Sequence, residues 1–359
     1  MIKYLGSKRT LVPEIVAAVQ AVPGVRTVAD LFSGTSRVGH ALKARGYRVL
    51  ANDQLAYAFA LARCYVEADL ERVERDAKRL IEELNALPGS PGYFTETFCL
   101  RSRFFQPHNG ERIDAIREAI RRKHLAPDLE AVLLVSLMEA ADRVDSTTGV
   151  QMAYLKRWAP RASNALVLRL PALLPRAREG PGRATCLDAF DAAESLAADV
   201  AYLDPPYNQH SYLGNYHVWE TLVRWDAPEV YGTACKRVDC RERRSPFNSR
   251  REFPAAFSRL LATVKAPVLV VSFSDEGFLS REGIEACLRE RGEVHVIERD
   301  YRRYVGAGIG IYNPRGEKVG RVGHLRNKEF LFVVVPPGTE LSPPWRPGHS
   351  AKAPSGGDR

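Results

Sequence analysis

Residues 25–53 read VRTVADLFSGTSRVGHALKARGYRVLAND, and the order of patterns within them decides the fold. An apolar run ending at Asp30, Leu31 and Phe32 predicts a strand, the glycine-containing turn SGTSRVG interrupts it, an amphipathic run predicts a helix, and YRVLAND predicts a second strand. Strand, helix and strand in so short a span point to a parallel pair, and so to an α/β sheet with helices on its faces. Upstream, a helix is predicted over about Val12–Ala21. Downstream, from Ala56 to about Val144, the spacing becomes helical. Leu70, Val73, Ala77, Leu80, Ile81 and Leu84 share one face, Ile113, Ile116 and Ile120 another, and the run from about Leu129 to Val144 is apolar on nearly every side. Strand-like runs return in RATCLDAF, VAYLDPPY, APVLVVSFS, VHVIERDY and EFLFVVVP, with helices near His217–Arg224, Arg251–Val264 and Arg281–Arg291. The sheet is therefore expected to be interrupted by an inserted helical lobe and then completed. This divides the chain into residues 1–65 and 181–335 as two parts of one core, 66–180 as the lobe, and 336–359 as a disordered tail of mostly Pro, Gly and Ser.

The 359 residues suffice for one large domain or a core with an inserted lobe. With 45% hydrophobic and 26% charged residues the composition is that of a globular chain, and no apolar run is long enough to cross a bilayer. A formal charge of +9 favours a polyanionic partner such as nucleic acid. The six cysteines are sparse and the first residues lack an apolar leader with a small-residue cleavage site, so a cytoplasmic protein with reduced thiols and no membrane partner is expected.

Two motifs carry chemistry. Asp30-Leu31-Phe32-Ser33-Gly34-Thr35-Ser36-Arg37-Val38-Gly39 closes a strand and opens a helix, where backbone amides can approach an anionic or zwitterionic ligand. Asp53 ends the next strand, and a carboxylate there can accept hydrogen bonds from both hydroxyls of a ribose, which favours an adenosine-containing cofactor. The turn reads GxSxxG where a nicotinamide dinucleotide would want GxGxxG. The second motif, Asp204-Pro205-Pro206-Tyr207, follows the apolar run VAYL and so falls at the carboxyl end of the sheet. Its prolines remove two amide donors and restrict the backbone. The Asp204 carboxylate and the Pro205 carbonyl are left as acceptors for one amino group, with an aromatic ring beside them for a planar base. The plainer reading, a Pro-Pro stop after a buried strand, accounts for neither the two acceptors nor the ring.

In these motifs and their order the chain resembles the amino-type DNA methyltransferases that use S-adenosylmethionine, in particular the adenine-specific (N6) family with DPPY. The resemblance implies a Rossmann-like methyltransferase sheet, mostly parallel with the last strand antiparallel. It implies that Tyr4, Gly6 and Lys8, in a YxGxK-like segment, help bind the methionine end of the cofactor, and that the loop of Asp30, Phe32, Gly34 and Ser36 does the same. Ser36 stands where the family pattern has a second glycine. Asp53 matches the ribose-binding acid, and Cys186-Leu187-Asp188-Ala189-Phe190 resembles a motif whose acid, Asp188, contacts the adenine amine while an aromatic, Phe190, covers the ring. The resemblance covers roughly 1–65 and 183–335; the lobe matches only in position, where such enzymes carry target-recognition elements. The implied reaction is methylation of the N6 amine of an adenine flipped out of double-stranded DNA. Asp204 and Pro205 would accept hydrogen bonds from the amine and Tyr207 would stack on the base, with no metal required. A cognate restriction endonuclease is an implied partner. Tyr212, Asn215 and Tyr216 lie just beyond and could line the same pocket or the core.

Two basic stretches could meet phosphates. Gly232–Arg251 holds seven Lys and Arg, among them Lys236, Arg237, Arg241, Arg243 and Arg244, against two acids. Arg302–Lys328, which begins with Arg302 and Arg303, holds seven against one, with NPRGE suggesting a hairpin between the last strands. Cys235 and Cys240 lack a second Cys or His pair for zinc, Gly306-x-Gly308-x-Gly310 reads as a flexible hairpin, and the acids and hydroxyls of Ala141–Thr147 read as capping of a helix end in preference to DNA contact. Three alternatives stay open: methylation of guanine N2 in RNA, methylation of cytosine N4 in DNA, and a noncatalytic nucleic-acid-binding protein that has kept the fold.

Overall fold

The computed structural model describes residues 1–302, 311–312, 318–320 and 326–342. Seven strands form one sheet: β1 (Thr27–Asp30), β2 (Arg48–Asn52), β3 (Arg183–Thr185), β4 (Val200–Leu203), β5 (Val268–Ser274), β6 (Glu293–Arg302) and β7 (Arg326–Val335). Their order is β3-β2-β1-β4-β5-β7-β6. Neighbours from β3 to β5 pair in parallel, while β7 runs antiparallel to both β5 and β6. This is the mostly parallel sheet with an antiparallel last strand that the resemblance implies. Strand order reverses between β1 and β4, whose register sets Asp30 beside Tyr202, and at such a switch point a crevice opens beyond the carboxyl ends of the strands.

The two-residue period of the strands sorts their side chains into two cores. Val28, Val49, Val200, Val270 and Val333 pack with Ile15 and Val19 of α1 (Val12–Ala21) and Leu42 of α2 (Arg37–Ala44). Between β2 and β3 come α3 (Ala56–Ala62), α4 (Leu70–Ala86), α5 (Pro107–Arg122) and α6 (Pro127–Val144). Val73, Ala77, Leu80, Ile81 and Leu84 of α4, and Ile113, Ile116 and Ile120 of α5, are buried as their spacing predicts, and α6 is buried along Ala131–Met138 because it runs through the middle of the lobe. After β3, α7 (Ala189–Ser195) leads to β4, and α8 (His217–Arg224) follows the DPPY segment. Trp219 and Leu222 of α8 belong to the core of the lobe, and Arg117 of α5 donates to the Leu222 and Val223 carbonyls at the end of α8. The lobe is thus welded to the helix that follows the second motif. On the other sheet face, Ala29, Ala201, Leu203, Leu269 and Phe332 pack with Phe257 and Leu260 of α9 (Phe253–Thr263) and Ile284 and Leu288 of α10 (Arg281–Arg289).

Two expectations change. The run RATCLDAF is a strand only over Arg183–Thr185, because Asp188 leaves the sheet to accept from the Phe190 amide at 2.9 Å and cap α7. Asp142 and Asp145 do not cap α6; they pair with Lys3, and Asp145 also takes Arg161, so this cluster anchors the amino-terminal residues to the lobe. Arg302 ends β6 by its backbone. Arg303, the NPRGE turn, the Gly306–Gly310 run and the tail from 343 lie outside the described residues. No helix among the described residues is long and apolar enough to cross a membrane.

Candidate active site

One cavity opens beyond the carboxyl ends of β1, β2 and β4, and nine of the cofactor and catalytic candidates line it: Tyr4, Gly6, Lys8, Asp30, Phe32, Gly34, Asp53, Asp188 and Asp204. The turn after β1 is built on left-handed backbone. Gly34 has φ +49° and its amide donates to Asp53 Oδ2 at 3.0 Å, while Asp53 Oδ1 accepts from the Leu55 amide at 3.0 Å. Ser36 is buried with φ 57° and ψ 22°, and its hydroxyl has no hydrogen-bond partner among the described residues. The position that is glycine in the family pattern therefore keeps the glycine conformation with a serine in it. Ser36 shapes the turn through its backbone and is not part of the cavity wall.

Asp30, at the tip of β1, is 1% exposed, and among the described residues the Phe32 amide comes near its carboxyl without meeting the geometry of a full hydrogen bond to either oxygen. Burial, and then the neighbouring Asp204 and Asp53, push its carboxyl up to about 8 against the pull of the Phe32 amide. Burial likewise pushes Asp53 up to about 6, opposed by the Leu55 and Gly34 amides. The cavity therefore offers carboxylates whose charge is poorly compensated by the protein, which suits a ligand that carries positive charge.

Asp204, just past β4, accepts from Ser272 Oγ of β5 at 2.9 Å and is 3.2 Å from Lys8 Nζ through the same atom, Oδ1. Lys8 is 8% exposed and also reaches Glu329 Oε2 of β7 at 3.4 Å. Lys8, expected at the methionine end of a cofactor, lines the cavity and also pairs with the DPPY carboxylate. Pro205 is buried, Pro206 lines the cavity, and the Tyr207 ring packs on Phe273 at 4.9 Å with Lys8 Nζ 5.6 Å from its centre. The Tyr4 ring lies parallel to Tyr212 and Tyr216 at 5.3 and 4.6 Å, and its hydroxyl meets that of Tyr57 at 3.2 Å.

The aromatic wall differs from expectation. Phe190 stacks behind Phe247 at 5.7 Å, covered by the Arg259 guanidinium at 4.1 Å, and it is Phe247, edge-on to Phe32, that lines the cavity. The SPFN turn that carries Phe247 has no periodicity to betray it, Ser272 is one of two serines in the otherwise apolar β5, and Glu329 closes the polar RNKE half of β7 ahead of FLFVVV. No local period singles any of them out.

The basic segment after the motif splits by role. Arg237 is 2% exposed, gripped by Asp226 in two bonds of 2.7 and 2.8 Å and by Asp239 at 3.0 Å, so it cannot meet a phosphate and its assignment is corrected to a structural ion-pair hub. Arg243 pairs with buried Glu220 at 3.3 Å and donates to the Gln54 carbonyl at 3.2 Å, which puts it on the cavity wall beside Asp53. Arg241 is exposed and lies over the Tyr231 ring at 3.7 Å, Arg244 is exposed at the cavity rim, and Lys236 is half-buried. Among the described residues no cluster of three or more His, Cys, Asp or Glu could hold a metal.

Comparison with known proteins agrees with this geometry. A family described as D12 class N6 adenine-specific DNA methyltransferase matches residues 4–272. The Type II methyltransferase M.NlaIII of Neisseria lactamica is 28% identical over 92% of this chain and 98% of its own length. The Type II methyltransferase M.CviAII of Paramecium bursaria Chlorella virus 1 is 30% identical over 93% of this chain and 98% of its own. M.FokI of Planomicrobium okeanokoites is 31% identical over 84% of this chain, which spans about half of that longer protein (49%). The matched range takes in the glycine turn, the helices between β2 and β3 and the DPPY segment, and the reading of a noncatalytic binding protein is set aside: the chain belongs to the D12 class of N6 adenine-specific DNA methyltransferases.

Proposed function

We propose that the chain transfers a methyl group from S-adenosylmethionine to the N6 amine of an adenine rotated out of duplex DNA. The observation that carries this reading is a single cavity joining the glycine turn and Asp53 to Asp204. The residues fit the cofactor: Asp30 offers two buried oxygens to a cationic group, Asp53 keeps lone pairs for ribose hydroxyls, Phe247 and Leu187 offer a face for adenine, and Asp188 uses one oxygen as a cap and keeps the other for an amine. S-adenosylmethionine supplies, when bound, an electrophilic methyl group on a sulfonium. The chain's own part is to hold the amine. Asp204 Oδ2, which has no hydrogen-bond partner among the described residues, and the Pro205 carbonyl accept its two N–H groups, so that the nitrogen lone pair turns toward the glycine-turn side of the cavity. Tyr207 stacks on the extruded base.

Lys236, Arg241 and Arg244 contact phosphates, the helical lobe reads the target sequence, and a restriction endonuclease of the same specificity is the natural counterpart in the cytoplasm. Incubating the protein with methyl-labelled cofactor and duplex DNA, then digesting to nucleosides, should place the label on N6-methyldeoxyadenosine. Asp204→Ala should lower the rate at least a hundredfold, by roughly 3–4 kcal/mol, with cofactor affinity retained. Label on cytosine N4, or on guanine of RNA in preference to DNA, overturns the reading.

A further inference from the structure

We propose that Lys8, Ser272 and Glu329, which come from the amino-terminal turn and two sheet strands, act together as positioning residues for methyl transfer by committing Asp204 Oδ1 to the protein and leaving Oδ2 to the target amine. The inference rests on the reading of Asp204 as the acceptor of that amine. A carboxylate free to rotate offers either oxygen, whereas this one is fixed on one side. Tyr202 and Ser272 share a hydrogen bond at 2.9 Å, and Ser272 spends its only proton on Asp204 Oδ1 at 2.9 Å, so the Tyr202 hydroxyl is the donor to Ser272. Lys8 Nζ approaches the same Oδ1 at 3.2 Å and is held there by Glu329 at 3.4 Å. Tyr202, Ser272 and Glu329 are all buried, and each sits on a strand of the central sheet, so the support is as rigid as the fold allows.

The second effect is on charge. Burial pushes the Asp204 carboxyl up, while Lys8 and Ser272 pull it down and keep it available as an anion. For Lys8, burial acts to lower its affinity for the proton, but Asp204, Tyr207 and Glu329 outweigh this and hold it well above the ordinary lysine value. The other groups that face Asp204 work against the anion or are neutral: Asp30 on β1, Tyr202 before the motif, Tyr207 within it and Tyr212 beyond it, with Asp275 beside Glu329. Lys8 is thus the cation that lets two acids, Asp204 and Glu329, share one water-poor site.

The test uses the full-length protein in single-turnover methylation across pH 5–9, with cofactor affinity by calorimetry. Ser272→Ala should lower the rate constant about tenfold and leave cofactor affinity within twofold, Ser272→Thr should restore most of the rate, and Tyr202→Phe should give a smaller loss in the same direction. Lys8→Met should move the acid limb of the rate profile upward by about one pH unit or more, because the anion loses its cation. Lys8→Arg should move it back. Glu329→Gln should lower the rate with no upward move of the acid limb. An unchanged rate and pH profile in Ser272→Ala and Glu329→Gln overturns the inference, whatever the fate of the Lys8 variants. Failure of the underlying reading is separable, since it would appear as near-normal turnover in Asp204→Asn.

Discussion

Burial and two neighbouring acids push the Asp30 carboxyl up to about 8, which favours its protonated form at pH 7 in the ligand-free protein. If it pairs with a cationic group of the cofactor it must shed that proton, so binding and deprotonation are linked. Calorimetry at pH 7 in buffers of different ionisation enthalpy should therefore show close to one proton released per cofactor bound, and affinity should rise from pH 6 to pH 8 and level off above. The sign follows from the raised value: the anion is the binding form and is scarce below about 8. Asp53, at about 6, should steepen the loss of affinity below pH 6. Asp30→Asn should abolish the proton release; the same heat in every buffer for the parent protein would take Asp30 out of the binding site. Asp30, Asp53 and Asp204 are legible in the sequence because each is a lone acid closing an apolar run, and the ends of parallel strands converge. The meeting of Lys8 with Glu329 is not legible, since 321 positions separate them and no local period links the two.

At the scale of elements, strands and long helices follow from periodicity, and the segments between them do not. The continuous apolar run of β5, buried along its whole length, and the buried face of α4 correspond to the spacing of their residues, whereas Asp188 reads as part of a strand and is a helix cap. The basic segment 232–251 shows the same limit. Its charge is plain in the sequence, but of the acids that turn Arg237 inward and pin Arg243 to the cavity only Asp239 lies within it, while Asp226 and Glu220 lie outside. Arg241 and Arg244 remain exposed. Replacing both by Ala should weaken binding to all DNA sequences alike and make the slope of log affinity against log salt shallower by about 0.9 for each, or roughly 1.8 in all. Filter binding or fluorescence anisotropy across a salt series reads this directly, and a parental slope would leave the two arginines as solvated charge. Arg243→Ala should behave differently, since its loss uncovers buried Glu220 beside Asp53 and should reach cofactor affinity first.

Across the whole molecule, the first eight residues tie the inserted lobe to the sheet. The amino group of Met1 pairs with Glu139 of α6, the Lys3 amide donates to Asp142 at 3.1 Å and its ammonium to Asp145 at 2.8 Å, and the Leu5 amide donates to the Tyr216 hydroxyl at 2.5 Å. Lys8 then reaches β7 and the DPPY carboxylate. Tyr4, Gly6 and Lys8 line the cavity between these anchors, so the lobe holds one wall of a site whose other walls come from the strand ends and the segment that carries Arg243 and Phe247. Asp145 is the key anchor because it is buried and receives both Lys3 and Arg161. Asp145→Asn keeps the shape and removes the charge, which should destabilise the protein by about 1–3 kcal/mol in chemical denaturation. If the segment is held in place from the lobe, the same variant should also weaken cofactor affinity severalfold although Asp145 does not line the cavity, and saturating cofactor should recover part of the lost stability. Lower stability with an unchanged dissociation constant would mean that residues 4–8 are placed by the sheet alone and that the lobe takes no part in forming the cofactor wall.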